Sequence, residues 1–476
     1  MLLSSLEKYD FQLTIDGMPY YVPRAFNVIN PATEEVISSS PDADERAVDA
    51  AVSAARRAAP AWAKLSVEQR ADVVRNYAGH VEDNAEALSE LLVLEQGKPI
   101  ASARGEVKES LGYLRQLADL AESQIEFSST DAATGTVLLR RPLGVVAGIT
   151  AWNYPIQLAC SKLAMAVLTG NATILKPSPY TPLTTLALGE IARDVFPPGV
   201  VSVLTGLEPL GEIITRQEGI AKIGFTGSTQ TGCAIAKATS SRLTRLTLEL
   251  GGNDAAIVMP DVDLREAARG ILGSALENTG QLCNAIKRVY VHHSIKNDLL
   301  EELTKVAQSY VLGNGLDTST TLGPIQNEMQ FNRLLELKNK THGEGGIFHC
   351  GSEEVDGLGY FMAPAIISGL DDSASLVREE QFGPLVPVMS FSDVEDAIMR
   401  ANDSMFGLGA SIWTADEKTA MEHAVLFDVG SVWINHHSAL SPSFPSGGCK
   451  LSGLGVEYGV EGLAEYTQHQ VIRVVR

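Results

Sequence analysis

The feature that most constrains this chain is a run of short, β-branched apolar segments at near-regular spacing in its middle third. They read GVVAGIT at 144–150, ATILK at 172–176, VVSVL at 200–204, AKIGF at 221–225 and TRLTLEL at 244–250. Their starts lie 28, 28, 21 and 23 residues apart, the length that a strand, a crossover helix and two turns require. The intervening segments 156–168 and 182–195 read as helices. Continuously apolar strands alternating with helices predict a doubly wound parallel sheet covered on both faces. A second alternating series follows, with strands near 255–258, 289–292, 386–391, 409–413 and 430–435 and helices near 263–279 and 296–310. The fold class is therefore α/β, with two doubly wound domains.

Ahead of these domains the first quarter reads as mostly helical. Residues 43–63 are alanine-rich and start behind Asp42 and Asp44, acids that suit a helix N-terminus. Ser66 and Gln69 have capping-box spacing. The pattern they open runs, with room for a break, to Gln96, where Gly97-Lys98-Pro99 terminates it. The stretch 124–142 reads as an inserted hairpin around Ser128-Ser129-Thr130-Asp131.

Composition narrows the function classes. Lys plus Arg is 37 against 58 Asp plus Glu, a net charge of −21. That balance excludes an intrinsic nucleic-acid binder or a basic membrane-surface protein as the expected class. Five cysteines in 476 residues are too few for a disulfide framework, and the odd count leaves a thiol free. A reducing, cytoplasmic setting is expected. Glu7, Asp10 and Asp16 interrupt the apolar stretch a signal peptide needs. No run approaches the ~18 apolar residues of a membrane span.

Cys283 stands out among the five thiols because it follows Gly280-Gln281 at a helix end, where backbone groups are free. The bland alternative is a buried structural thiol. Glu249 lies in Leu248-Glu249-Leu250-Gly251-Gly252, a carboxylate at the end of a buried strand. Burial there is costly and raises the pKa, which makes a usable general base. The turn Phe225-Thr226-Gly227-Ser228-Thr229-Gln230-Thr231-Gly232 follows a strand and opens a helix, a place where a pyrophosphate binds. An ordinary βα turn reads equally well. Lys176 ends a second strand at the same sheet edge, within reach of ribose or phosphate, or simply solvated. Asn153 ends a third: its amide can donate to a developing oxyanion, or cap the helix that Pro155 begins.

Taken together, these segments resemble the aldehyde dehydrogenase superfamily over nearly the whole chain. The matching motifs are AWNYP at 151–155, LKPSPYTPL at 175–183, GFTGSTQTG at 224–232, LELGGND at 248–254, GQLC at 280–283, EEQFGP at 379–384 and PSGGCKLSGLGVEYGVEGLAEYT at 445–467. The resemblance implies a Cys283 nucleophile, an oxyanion held by Asn153, a water-activating Glu249, and a proton relay through Lys162 and Glu457. It implies a dinucleotide cofactor, NAD or NADP, and no metal. Expected cofactor contacts are Ile149, Thr150, Trp152, Lys176, Ser178, Gly211, Phe225, Thr226, Gly227, Ser228, Gly232, Leu250, Glu380 and Phe382. Expected substrate-tunnel positions are Tyr154, Leu158, Ser161, Leu282, Asn284, Leu440 and Ser446. None of these seven is Arg or Lys, so medium-chain aliphatic or aromatic aldehydes are expected.

The same resemblance divides the chain into a Rossmann-like dinucleotide-binding domain (1–119 and 143–251), a catalytic domain (252–448) and a small β oligomerisation element (120–142 and 449–476). A homodimer or homotetramer is implied. Pro179 departs from the family pattern: NAD-selective members often carry Glu there, three residues after the Lys. Loss of that carboxylate removes repulsion against a 2′-phosphate, so NADP use is expected alongside NAD. Ser446, where many members carry Phe, and Ser161 suggest a roomier tunnel. Three alternatives remain open: a CoA-acylating dehydrogenase, a catalytically idle structural protein on the same fold, and a cofactor-free thiol hydrolase.

Overall fold

The computed structural model describes residues 4–125 and 127–473. Five parallel strands form the centre of the first sheet. Side by side they run Val201–Val203, Ala172–Lys176, Val145–Ile149, Lys222–Thr226 and Arg245–Glu249. Counted along the chain this order is 3-2-1-4-5, so the winding reverses between Val145–Ile149 and Lys222–Thr226. The crevice beyond the carboxyl ends of those two strands is where such a sheet accepts a ligand. Both strands are buried throughout, as their apolar composition requires. The helix Pro155–Leu168, also largely buried, carries the chain across to Ala172–Lys176.

The first 41 residues correct the helical expectation. They hold two antiparallel hairpins, Leu13–Ile15 with Met18–Tyr20 and Ala25–Ile29 with Val36–Pro41. The first hairpin pairs with Val201–Val203 and extends the sheet edge. The expected helices beyond it are present as Glu45–Trp62, Val67–Asp83 and Ala85–Gln96, with Asp44 and Ser66 as side-chain caps and Gly97 left-handed at the end.

The second sheet has seven strands in the order Ile347–Phe348, Ala365–Ser368, Leu385–Phe391, Ile286–His292, Asp254–Val258, Gly409–Trp413 and Ser431–Ile434. All but the first are parallel. The strand Ala365–Ser368 and the helix Glu328–Gly343 were not expected. A third sheet joins Thr467–Ile472, Val137–Pro142 and Ser128–Thr130, all antiparallel, so the 124–142 hairpin is present. Its boundaries are narrower than expected. The helix Ile100–Gln124 runs past residue 120. Cys449–Lys450 pairs with Phe406–Gly407, and Gly453–Leu454 extends the first sheet beside Arg245–Glu249.

Candidate active site

Glu249 ends its strand at the carboxyl edge of the first sheet, and Cys283 precedes Ile286–His292 at the amino edge of the second. The two edges face each other, and both residues line one chamber of about 60 Å³ together with Thr226, Asn284, Ser446 and Glu457. The loop that presents Cys283 is tightly constrained. Asn278 and Thr279 take φ of +48° and +60° and Gly280 +74°, a left-handed run that costs energy at the two non-glycine positions. A Cβ at Gly280 would collide with the Gly383 carbonyl. Gln281 locks the turn: its amide donates to the carbonyls of Asn278 (2.8 Å) and Pro324 (3.2 Å), and its Oε1 accepts from the Gln326 N–H at 2.8 Å. Lys287 Nζ donates to the carbonyls of Leu282 (2.8 Å) and Cys283 (2.6 Å). Burial pushes the Cys283 thiol up to about 12; the Lys287 cation pulls against this and Glu249 adds to it.

Glu249 Oε1 is buried without a hydrogen-bond partner. Burial holds its carboxyl well above the ordinary carboxylate range, the Glu457 charge adds to this, and Lys162 opposes it. Lys162 and Glu457 form a buried ion pair. A carboxyl of raised pKa that shares a largely apolar chamber with a thiol has the electrostatics a general base needs.

Asn153 does not cap the following helix. The N-cap position belongs to Tyr154, which makes no side-chain cap. The Asn153 Nδ2 donates instead to the Gln281 carbonyl at 3.0 Å, which leaves its second N–H available. The helix start is held by Glu106, whose Oε1 accepts from the N–H groups of Ile156 (3.0 Å) and Gln157 (3.3 Å). Glu106 is itself paired at 2.5 Å with Lys98, which donates to the Asn153 carbonyl at 3.0 Å. Asn278 Nδ2 donates to that same carbonyl at 3.1 Å. Lys98, Glu106, Asn278 and Lys287 were not singled out from the sequence. Only Lys98 had a visible signal, and it read as part of a helix terminator.

A larger cavity of about 260 Å³ runs from Cys283, Asn153 and Leu282 to Trp152, Thr226, Gly227, Ser228, Leu250, Glu380 and Phe382. Its residues suit a dinucleotide. The Thr150 and Thr226 hydroxyls are buried without partners. Ser228 caps the helix Thr229–Thr239, so that helix N-terminus opens at the cavity with Gly232 in its first turn. Glu380 accepts from the Gly252 N–H at 2.9 Å, and a Cβ on Gly251 would collide with its carboxylate. Phe382, at φ +53°, meets Trp152 edge to face at 5.3 Å. Farther along the sheet edge Lys176 and Ser178 are buried, with Gly211 beside the Lys176 side chain. Burial lowers the Lys176 amine to about 8. The side chains of Ile149 and Phe225 pack in the core, with the Phe225 ring beneath Gly227, so neither side chain lines the larger cavity. The helix Glu328–Gly343 adds two unexpected residues. Gln330 donates to the Gln381 and Phe382 carbonyls, and Arg333 to that of Glu380 at 2.6 Å.

Around Cys283 the cavity walls include Tyr154, Leu158, Asn284, Leu440 and Tyr458. Ser161 is a further correction. It is fully buried and accepts from the Tyr458 hydroxyl at 3.3 Å; the phenol fills the space its small side chain leaves. Among the described residues the only cation on the larger cavity is Arg333, which donates to the Glu380 carbonyl. Among the described residues no group of three His, Cys, Asp or Glu side chains converges as a metal site, and no helix is long and apolar enough to cross a membrane.

The family model for the aldehyde dehydrogenase family matches residues 21–472. An aldehyde dehydrogenase of Fusarium sp is 38% identical over 466 residues, covering 97% of this chain and 98% of the relative. The phenylacetaldehyde dehydrogenase of Pseudomonas fluorescens is 36% identical over 458 residues, 93% of this chain and 91% of the relative. Among solved structures, the betaine aldehyde dehydrogenase of Staphylococcus aureus in complex with NAD+ superposes with a TM-score of 0.95 at 32% identity, covering 99% and 96% of the two chains. The NAD+ complex of the Bacillus cereus aldehyde dehydrogenase gives 0.96 at 33% identity, covering 99% and 98%. With that match spanning both sheets and the cleft between them, the chain belongs to the aldehyde dehydrogenase family and is an oxidoreductase.

Proposed function

We propose that this chain oxidises an aldehyde to its carboxylic acid with NAD as acceptor, through a covalent intermediate on Cys283. One observation carries the reading: a thiol, an unpartnered carboxylate and an amide meet at one end of a crevice whose other end suits a dinucleotide. The Cys283 sulfur attacks the carbonyl carbon, and the oxyanion that forms accepts from the free N–H of Asn153. A dinucleotide held at Gly227, Ser228 and Glu380 would supply the hydride acceptor, so that the carbon bonded to Cys283 would lose a hydride and become a thioester. Glu249 takes a proton from the water that attacks the thioester; the C–S bond breaks, the acid leaves and the thiol is restored. Lys162 and Glu457 carry the proton onward. Glu249 on the chamber wall favours water over CoA as the acyl acceptor.

Residues 1–119 and 143–251 serve dinucleotide binding, 252–448 carry the nucleophile, and 120–142 with 449–476 join subunits into a dimer or tetramer. A mechanism built on a free thiol suits a reducing cytoplasm. The Tyr and Leu walls favour medium-chain aliphatic or aromatic aldehydes, because a second carboxylate would be buried there without a partner. The test follows absorbance at 340 nm with NAD across acetaldehyde, octanal, benzaldehyde and succinic semialdehyde. Octanal or benzaldehyde should give the highest kcat/KM, and Cys283→Ala should abolish turnover while NAD binding persists. Substantial turnover by that variant removes the nucleophile assignment, and a preference for succinic semialdehyde removes the apolar-tunnel reading.

A further inference from the structure

Pro179 leaves the loop after Lys176 without a carboxylate, yet the fold brings one to the same place from another element. Lys176 is 6% exposed, and its Nζ donates to the Pro177 carbonyl at 3.0 Å. The helix Glu208–Arg216 packs its first turn against this side chain, since a Cβ on Gly211 would lie 3.9 Å from Lys176 Cε. Glu208 stands three residues before Gly211 and therefore shares that helix face. It is exposed and, among the described residues, engaged in no ion pair. Its charge supports the Lys176 ammonium against the effect of burial and also reaches the Tyr180 hydroxyl. The Leu207 N–H donates to Asp42 Oδ1 at 3.2 Å, and Pro209 sits in the first turn, so the start of the helix is held in place.

We propose that Glu208 is the cofactor-selecting carboxylate of this chain, standing with Lys176 at the adenosine-ribose end of the crevice and disfavouring a 2′-phosphate. This rests on the dinucleotide reading above. Free ribose hydroxyls donate to a carboxylate and accept from an ammonium, so the pair suits NAD. A 2′-phosphate brings negative charge against Glu208 and removes the 2′-hydroxyl donor. Without Glu208, Lys176 becomes an unopposed cation at the ribose. The ready NADP use that Pro179 implies by itself is thereby replaced by a preference for NAD.

The test measures dissociation constants of NAD+ and NADP+ by calorimetry for the full chain, Glu208→Gln and Glu212→Gln, with kcat/KM for one aldehyde alongside. Glu212 lies one turn further along the same helix, paired with Arg216, and controls for a general change of charge. Glu208→Gln should shift the NAD+/NADP+ affinity ratio toward NADP+ by about tenfold, while Glu212→Gln leaves it unchanged. A shift under about twofold, or an equal shift in both variants, overturns the proposal while NAD+ binding and aldehyde oxidation leave the function standing. If the wild-type chain binds neither dinucleotide, both readings fall.

Discussion

Glu249 and Cys283 have the same electrostatic difficulty: burial raises the pKa of both, and the chemistry needs both ionised. Because their pKa values are raised, the ionised forms grow as pH rises, so kcat/KM should climb through the neutral range into the alkaline one. Glu457 contributes to that rise at Glu249, and its ion pair neutralises Lys162. Glu457→Gln removes one anion and unmasks one cation, and both changes lower the Glu249 pKa. The limb of the kcat profile that reports hydrolysis should therefore move to lower pH; an upward shift would show that Glu457 acts on Glu249 in another way. Glu249→Gln should keep a pre-steady-state burst of reduced NAD while steady turnover falls by about 10²–10⁴. Equal losses in both phases would place Glu249 before acylation. The three side chains proposed to react stood out in the sequence because their neighbours are distinctive: Leu-Glu-Leu-Gly-Gly, Gly-Gln-Leu-Cys and Trp-Asn-Tyr-Pro. Lys287 and Asn278 were not, because they act by donating to backbone carbonyls, and a carbonyl carries no residue identity. Ser161 misled for a related reason: its neighbour Tyr458 lies 297 positions away.

Between elements, the Lys98–Glu106 pair does what no single helix or strand does. It ties the turn after Gln96 and the helix Ile100–Gln124 to the Asn153 carbonyl and to the start of the helix Pro155–Leu168. Both side chains are buried, so deleting one partner strands the other charge. Glu106→Ala should cost about 3–5 kcal/mol of stability, measured by denaturant unfolding. It should also lower kcat at saturating NAD, because the Asn153 backbone loses its anchor. Unchanged stability with normal kcat would show that the pair is incidental. The long parallel strands were legible from their apolar runs, since burial on both faces leaves few polar positions, such as Thr173 and Lys222. The first hairpin carries its signal in the turn. Asp16-Gly17 sits between Leu13-Thr14-Ile15 and Met18-Pro19-Tyr20, and takes φ of +54° and +73° as a two-residue hairpin turn demands. The strand Ala365–Ser368 is only four residues long, too short for any period to show.

At the scale of the whole molecule, the three-stranded sheet has no large core of its own. Its outer strand Thr467–Ile472 is exposed beyond its first residue, with Val471 53% and Ile472 46% exposed. Three short strands with apolar residues open to water are marginal alone, and an edge strand presents unpaired backbone donors and acceptors. The strand is nonetheless anchored: Tyr466, immediately before it, is fully buried against Gly224 of the first sheet. A second copy whose matching face covered this sheet in a closed symmetric contact would satisfy it. Light scattering on a size-exclusion column should therefore give about two or four times the 50.9 kDa chain mass at micromolar concentration. Val471→Asp together with Ile472→Asp places two charges in the covered face and should shift the mass toward one chain. The Lys176 end of the crevice lies on another part of the first sheet, so NAD+ affinity should hold in the same variant. A wild-type chain that elutes at the single-chain mass would show that this sheet serves some other contact. An oligomer unmoved by the double substitution would place the subunit interface on another surface.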